Sequence, residues 1–380
     1  MGQPSRAPRR LRSLTITVTL WVAAPLAAQT APFDELAAGA TAARRGERVA
    51  EAIQLYRQAV QLRPSWAEGW WYLGTFSYAA HQYADCETTL DRFVVLDDKR
   101  PIAWSLLGLC EFETGEYDRA LDHLRQGLAG RDLPPEVEAD ARLHYGLLLT
   151  KAGLFDRARL ELQRYARAGA DQPMLMAGLG LNALHQPLLP DEVPAQRQDA
   201  VLKAGSATRF WILGETDKAE AGLRALVAEY PTMPGVHYLY GTYLSESSQE
   251  EAAAEFRREL AVNPENADAG ALLALLLIAA KDLPGALPYA RKAVTERPSN
   301  PLAEYAYGEV LMDSGDLPPA VASLEAAARL DPSSLDYHMA LASVYSRVGR
   351  YQDARHERRV SLDMAMAAQR RDRNTGAENR

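Results

Sequence analysis

The sequence is poor in the groups that carry chemistry. Its 380 residues include two cysteines and seven scattered histidines. No H-E-x-x-H, C-x-x-C or G-x-S-x-G pattern occurs, and no glycine-rich phosphate loop. Zinc hydrolysis, dithiol redox chemistry, a nucleophile elbow and nucleotide hydrolysis therefore lack their usual carriers. We expect no enzymatic role, no metal and no cofactor. Long apolar runs are missing as well. Leu14 to Leu26 and the twelve residues Ala269 to Ala280 are the nearest candidates, and both are too short for a bilayer. The chain also lacks a basic cluster outside its first residues. Its formal charge is −8. Such an acidic surface argues against nucleic acid and anionic membrane as partners.

The N-terminus reads as a leader. Arg6, Arg9, Arg10 and Arg12 precede the apolar run, and Ala27-Ala28 before Gln29 gives a cleavage point. This pattern predicts a signal peptide over 1–28 and an exported, periplasmic or secreted, protein with no stable membrane span after its removal. An uncleaved anchor is the alternative. Removal of 1–28 takes away four Arg and no acid, leaving −12. Export permits a Cys86–Cys110 disulfide. Both cysteines sit at small-residue packing positions, however, so two buried thiols are the default expectation.

What the chain has in abundance is a repeat. Pro301 to Ser334 reads as two short helices. Asn300 can cap the first, with Pro301 at its first position. Ser314-Gly315-Asp316 breaks it, and Asp316 can cap the second. Ala320, Leu324 and Ala327 then fall on one face. A hairpin this small cannot bury its own apolar face, so it implies an array. Pro231, Pro264, Pro298 and Pro332 are spaced 33, 34 and 34 apart. Trp70-Trp71-Tyr72-Leu73-Gly74 returns as Trp104-Ser105-Leu106-Leu107-Gly108 one period later. His237 and His338 stand where Trp70 and Trp104 stand, and read as packing substitutes rather than ligands.

W-x2-L-G followed by A-x3-[FYL]-x2-A-x4-P at a period of 34 resembles the tetratricopeptide repeat. The resemblance implies an all-α fold, a right-handed α-solenoid of about nine helix pairs, each first helix lining a concave groove. The division is a signal peptide at 1–28, four repeats in 29–172, a degenerate helix with a proline-rich insertion at 173–199, five repeats in 200–366 and a disordered tail at 367–380. The insertion either caps the array or contacts a partner through Leu188-Leu189 and Asp191-Glu192.

Inward positions carried over from the family hold Trp71, Tyr78, Phe112, Trp211, Tyr238 and Tyr305. They also hold many acids, Asp268, Glu309, Asp313 and Asp336 among them, against few bases. The resemblance thus implies an exported scaffold that binds protein or peptide segments in an acidic, aromatic groove. A cell-envelope assembly factor using its convex face or insertion, a carbohydrate binder and an enzyme accessory domain are the alternatives.

Overall fold

The computed structural model describes residues 27–169 and 171–378. Apart from Ala27 and Ala28 in the first helix, the predicted signal peptide lies outside the described residues. Among the described residues there are nineteen α-helices, one 3-10 turn and no strand, which makes this an all-α solenoid of helix hairpins.

The chain divides into two compact units, 1–116 and 117–380. The first holds α1 (Ala27–Arg45), α2 (Val49–Leu62), α3 (Ala67–Ala79), α4 (Tyr83–Leu96) and α5 (Pro101–Thr114). The second opens with α6 (Tyr117–Leu128), α7 (Pro135–Lys151), α8 (Phe155–Arg167), α9 (Pro173–Ala183) and α10 (Ala195–Ile212). It continues with α11 (Thr216–Glu229), α12 (Val236–Leu244), α13 (Gln249–Val262), α14 (Ala267–Ala279) and α15 (Leu283–Glu296). It ends with α16 (Pro301–Asp313), α17 (Leu317–Leu330), α18 (Leu335–Arg347) and α19 (Tyr351–Glu378). The last helix thus runs through the segment read as a disordered tail. Nothing between Gln369 and Thr375 is a helix breaker, so its backbone can continue the turn.

The hairpins follow from a glycine in the first helix facing a large residue in the second. A Cβ on Gly74, Gly146 or Gly308 would lie 2.4 to 2.8 Å from Leu90, Leu162 or Leu324, each sixteen residues on. In the repeat that is one residue short, Gly241 faces Phe256 at 2.9 Å instead. Ala320, Leu324 and Ala327 are fully buried, as the period requires. Asn300 caps α16 by accepting from the amides of Leu302 and Ala303, at 2.9 and 3.3 Å. Asp316 begins α17 but caps nothing with its side chain. The two amides it would accept from belong to Pro318 and Pro319, which have no N–H.

A second regularity ties each hairpin to the loop before it. Trp70 donates its indole N–H to the Pro64 carbonyl and Trp104 to that of Asp98, both at 2.8 Å. His237 Nε2 meets the Pro231 carbonyl at 2.9 Å, and His338 Nε2 meets that of Pro332 at 3.2 Å. In every case the acceptor is six residues upstream, so histidine replaces tryptophan as a ring N–H donor. His237 Nδ1 also lies 2.6 Å from Glu255, so both ring nitrogens face acceptors. That hydrogen bond raises the His237 pKa, and burial opposes the rise. His338 Nδ1 meets Glu357 at 2.6 Å.

Cys86 and Cys110 form a disulfide, against the default expectation of two thiols. They lie on α4 and α5, which pack together, with the Cα atoms 6.2 Å apart. That separation is within bridging range, which adjacency in sequence register alone could not establish. Closing a loop of 24 residues contributes about 3 kcal/mol by the chain-entropy account.

Candidate protein-binding surface

The inward-position aromatics fall into two groups, one in each unit. In the first unit Trp71, Tyr78 and Phe112 are each half-buried. Trp71 rests on Phe93 with ring centroids 5.3 Å apart, and the Arg100 guanidinium lies 5.6 Å from its ring.

In the second unit, Trp211 packs edge-on against Tyr243 at 5.4 Å and is half-buried. Tyr238 is only 8% exposed and presents no open ring. The reason is the insertion. His185, at a φ of 52°, stacks on Phe155 at 4.3 Å and covers Tyr238 at 4.4 Å. Its Nδ1 lies 3.1 Å from Asp268. Asp268 also accepts from Asn300 at 2.6 Å and lies 3.6 Å from Arg297. Burial alone would raise the Asp268 pKa, but the bonds from His185 and Asn300 and the charge of Arg297 hold it below the usual range.

The rest of the insertion is equally tied down. Leu184, Leu189 and Val193 are buried in the core of the second unit. Glu192 pairs with Lys151 at 2.5 Å and accepts from the Leu189 amide at 2.8 Å. Burial pushes the Glu192 carboxyl up, and those two bonds outweigh it and hold it low. Of the residues read as partner contacts, Leu189 and Glu192 are thus spent internally. The segment acts as a splint between α7, α9 and α12.

The open surface lies further along. Helices α14, α16 and α18 lie side by side. Tyr305 of α16 meets Tyr337 of α18 with ring centroids 5.0 Å apart. Beside them stand Glu309, Asp313 and Asp336. Asp313 pairs with Arg347 at 3.3 Å. Burial first, then the charge of Asp313, raises the Glu309 pKa, and Arg347 opposes the rise. Burial raises both tyrosines as well, aided by Glu309 and Asp336 at Tyr305 and by Asp331, Asp156 and Asp336 at Tyr337. Tyr337 is itself only 9% exposed and packs in the core, so it backs the half-buried Tyr305, whose remaining ring surface stands in a negative field suited to a cationic side chain.

Tyr337 and His185 escaped the sequence reading. Tyr337 is at the third position of its repeat, outside the inward set, and reaches Tyr305 only through the lateral packing of α18. His185 lies in a loop where no period applies. Among the described residues no group of three or more His, Cys, Asp or Glu could hold a metal, and no helix is long and apolar enough to cross a membrane.

Tetratricopeptide-repeat family models match residues 277–344 and, with a second model, 77–135, 116–173 and 243–301. No curated protein matches the chain. Among solved structures, MamA from Desulfovibrio magneticus RS-1 is 21% identical with a TM-score of 0.38, over 44% of this chain and 96% of that one. YrrB, described as a TPR protein with an unusual peptide-binding site, is 22% identical with a TM-score of 0.36, over 44% and 86%. At that level neither carries a functional argument. The family models match more than half of the chain, on helix hairpins with the packing described above, and the chain belongs to the tetratricopeptide repeat family.

Proposed function

We propose that this protein-interaction scaffold holds basic, extended protein segments on the surface formed by α16 and α18, and that it does so after export. The observation that carries the proposal is the half-buried Tyr305, backed by the buried Tyr337 and set among Glu309, Asp313 and Asp336. Aromatic anchors dominate many interfaces, and a lysine or arginine over the accessible part of the Tyr305 ring gains about 0.5 to 2 kcal/mol. Trp71, Tyr78 and Phe112 are proposed as anchors of a separate surface in the first unit, and Trp211 as a lesser one in the second. The proposed role is non-enzymatic. Export is supported by the basic and apolar N-terminal pattern and by the Cys86–Cys110 disulfide, a bond favoured in oxidising compartments. Met339 and Leu362 are 57% and 60% exposed on the last helix pair. They favour a second reading, in which that end docks onto a larger envelope assembly.

Glu309 provides the test. Its carboxyl sits above its ordinary 4.5 in the free protein, so ionised Glu309 costs the free fold stability, and that cost is relieved as pH falls through the folded pKa. A bound cation favours the ionised form, so binding expels a proton in that window. The affinity of a labelled lysine- and arginine-rich peptide, read by fluorescence anisotropy, should therefore fall as pH is lowered through the raised pKa of Glu309. Glu309→Gln should weaken binding at pH 7, flatten this pH dependence and raise the melting temperature of the free protein. Tyr305→Ala should weaken binding about tenfold, equivalent to 1.4 kcal/mol. Binding that ignores both substitutions would refute the surface.

A further inference from the structure

One repeat breaks the regularity that links each first helix to the preceding loop. Where Trp70, Trp104, His237 and His338 stand, the repeat containing α14 and α15 has Gly270. Every other repeat has a side chain at least as long as leucine at this position. The carbonyl six residues upstream belongs to Pro264, and it accepts no side-chain hydrogen bond from the described residues. At this place, where α13, α14 and α15 meet, a cavity of about 300 Å3 opens, with Pro264 and Gly270 in its wall. Ala267, Gly270 and Ala293 give it an apolar lining. A Cβ on Gly270 would meet nothing nearer than the Tyr289 carbonyl oxygen at 3.5 Å. The cavity is the ring socket of its sibling repeats with the ring left out.

We propose that this socket receives a tryptophan side chain from a partner segment that carries acidic residues on either side of it. The indole follows from the siblings. In the histidine repeats the second ring nitrogen is held by Glu255 or Glu357. The corresponding place here is Tyr289, so a histidine ring would lack the carboxylate at its second nitrogen, whereas an indole needs only the carbonyl. The acidic flanks follow from charge. Arg257 and Lys292 line the cavity, and Arg291 joins Lys292 in the adjoining notch. None of the three forms an ion pair with another described residue, although the chain is acidic overall; Glu296 is the one carboxylate in the lining. This surface is distinct from the Tyr305–Tyr337 face and opposite to it in preferred charge.

The probe is a fluorescein-labelled Asp-Glu-Trp-Asp-Glu peptide, titrated into the purified protein by anisotropy. Saturable binding is expected, at least tenfold weaker when the peptide tryptophan is replaced by alanine or by histidine, and when its acids are replaced by lysine. Gly270→Trp fills the socket from within and should reduce binding at least tenfold. Arg257→Glu with Lys292→Glu, both on exposed side chains, should do the same without touching the core, and decides the matter should Gly270→Trp fail to fold. Glu309→Gln should leave this binding unchanged, which separates the socket from the tyrosine face. No saturable binding, equal binding of the alanine, histidine or lysine peptide, or full binding to the charge-reversed variant would overturn the proposal.

Discussion

Gly205→Ala is expected to be among the most damaging single-methyl changes in the protein, costing about 3 kcal/mol or more. The reason is the crossing of α9 and α10. A Cβ on Gly205 would sit 1.8 Å from the Met176 carbonyl oxygen, and one on Gly180 would sit 2.0 Å from that of Val201. The two backbones touch with no side chain between them, and a backbone cannot rotate aside as a rotamer can. Separating them would displace α9 from α7 and α8, and with it the His185 loop that follows. Gly270→Ala is the matched control. It has the same chemistry in the interior of another helix, but only ordinary contacts, and should stabilise by about 0.5 to 1 kcal/mol through the lower backbone entropy of alanine. Urea denaturation of the two variants measures both. Equal transitions would show that the α9–α10 contact is looser than described.

Glu259→Ala should cost about 3 kcal/mol or more, since hydrogen bonds to charged groups are each worth about 1.5 to 3 kcal/mol. Glu259 is fully buried. Its two oxygens accept from the Gly235 amide at 2.9 and 3.0 Å, from the Tyr238 amide at 3.3 Å and from Asn266 Nδ2 at 3.0 Å. Gly235, at a φ of 91°, starts α12 and has no side chain with which to cap it. A carboxylate from α13 therefore supplies the missing cap and complements the helix dipole. Glu259→Gln keeps one accepting oxygen and should cost about half as much. Thermal unfolding of the pair, with loss of the α12 amides' exchange protection in the alanine variant only, is the expected record.

These cases mark what could be read from the sequence. The hairpins, their period and the equivalence of His237 with Trp70 follow from spacing, because each depends on neighbours at fixed offsets. The Asn300 cap was legible for the same reason. The Asp316 cap fails because Pro318 and Pro319 lack the two amides it would accept from. The fate of Tyr238 was not legible. It is decided by His185, which arrives from an aperiodic loop more than fifty residues earlier. Tyr305 was found from its register, and Tyr337 was missed because it joins the site from the side. Glu259 carries no positional signal, since its partners are backbone amides. The Cys86–Cys110 bond needed an inter-helix distance that periodicity does not give.

The central claim is that the face of α16 and α18 is where the scaffold meets its partner. A photo-cross-linking phenylalanine analogue in place of Tyr305, an aromatic for an aromatic, tests this in cells that produce the protein. The same analogue at Arg329, exposed on α17, is the comparison. The account predicts that Tyr305 captures a protein through a lysine- or arginine-rich stretch and that Arg329 does not capture it. Equal capture from both positions, or capture from Arg329 alone, would contradict it.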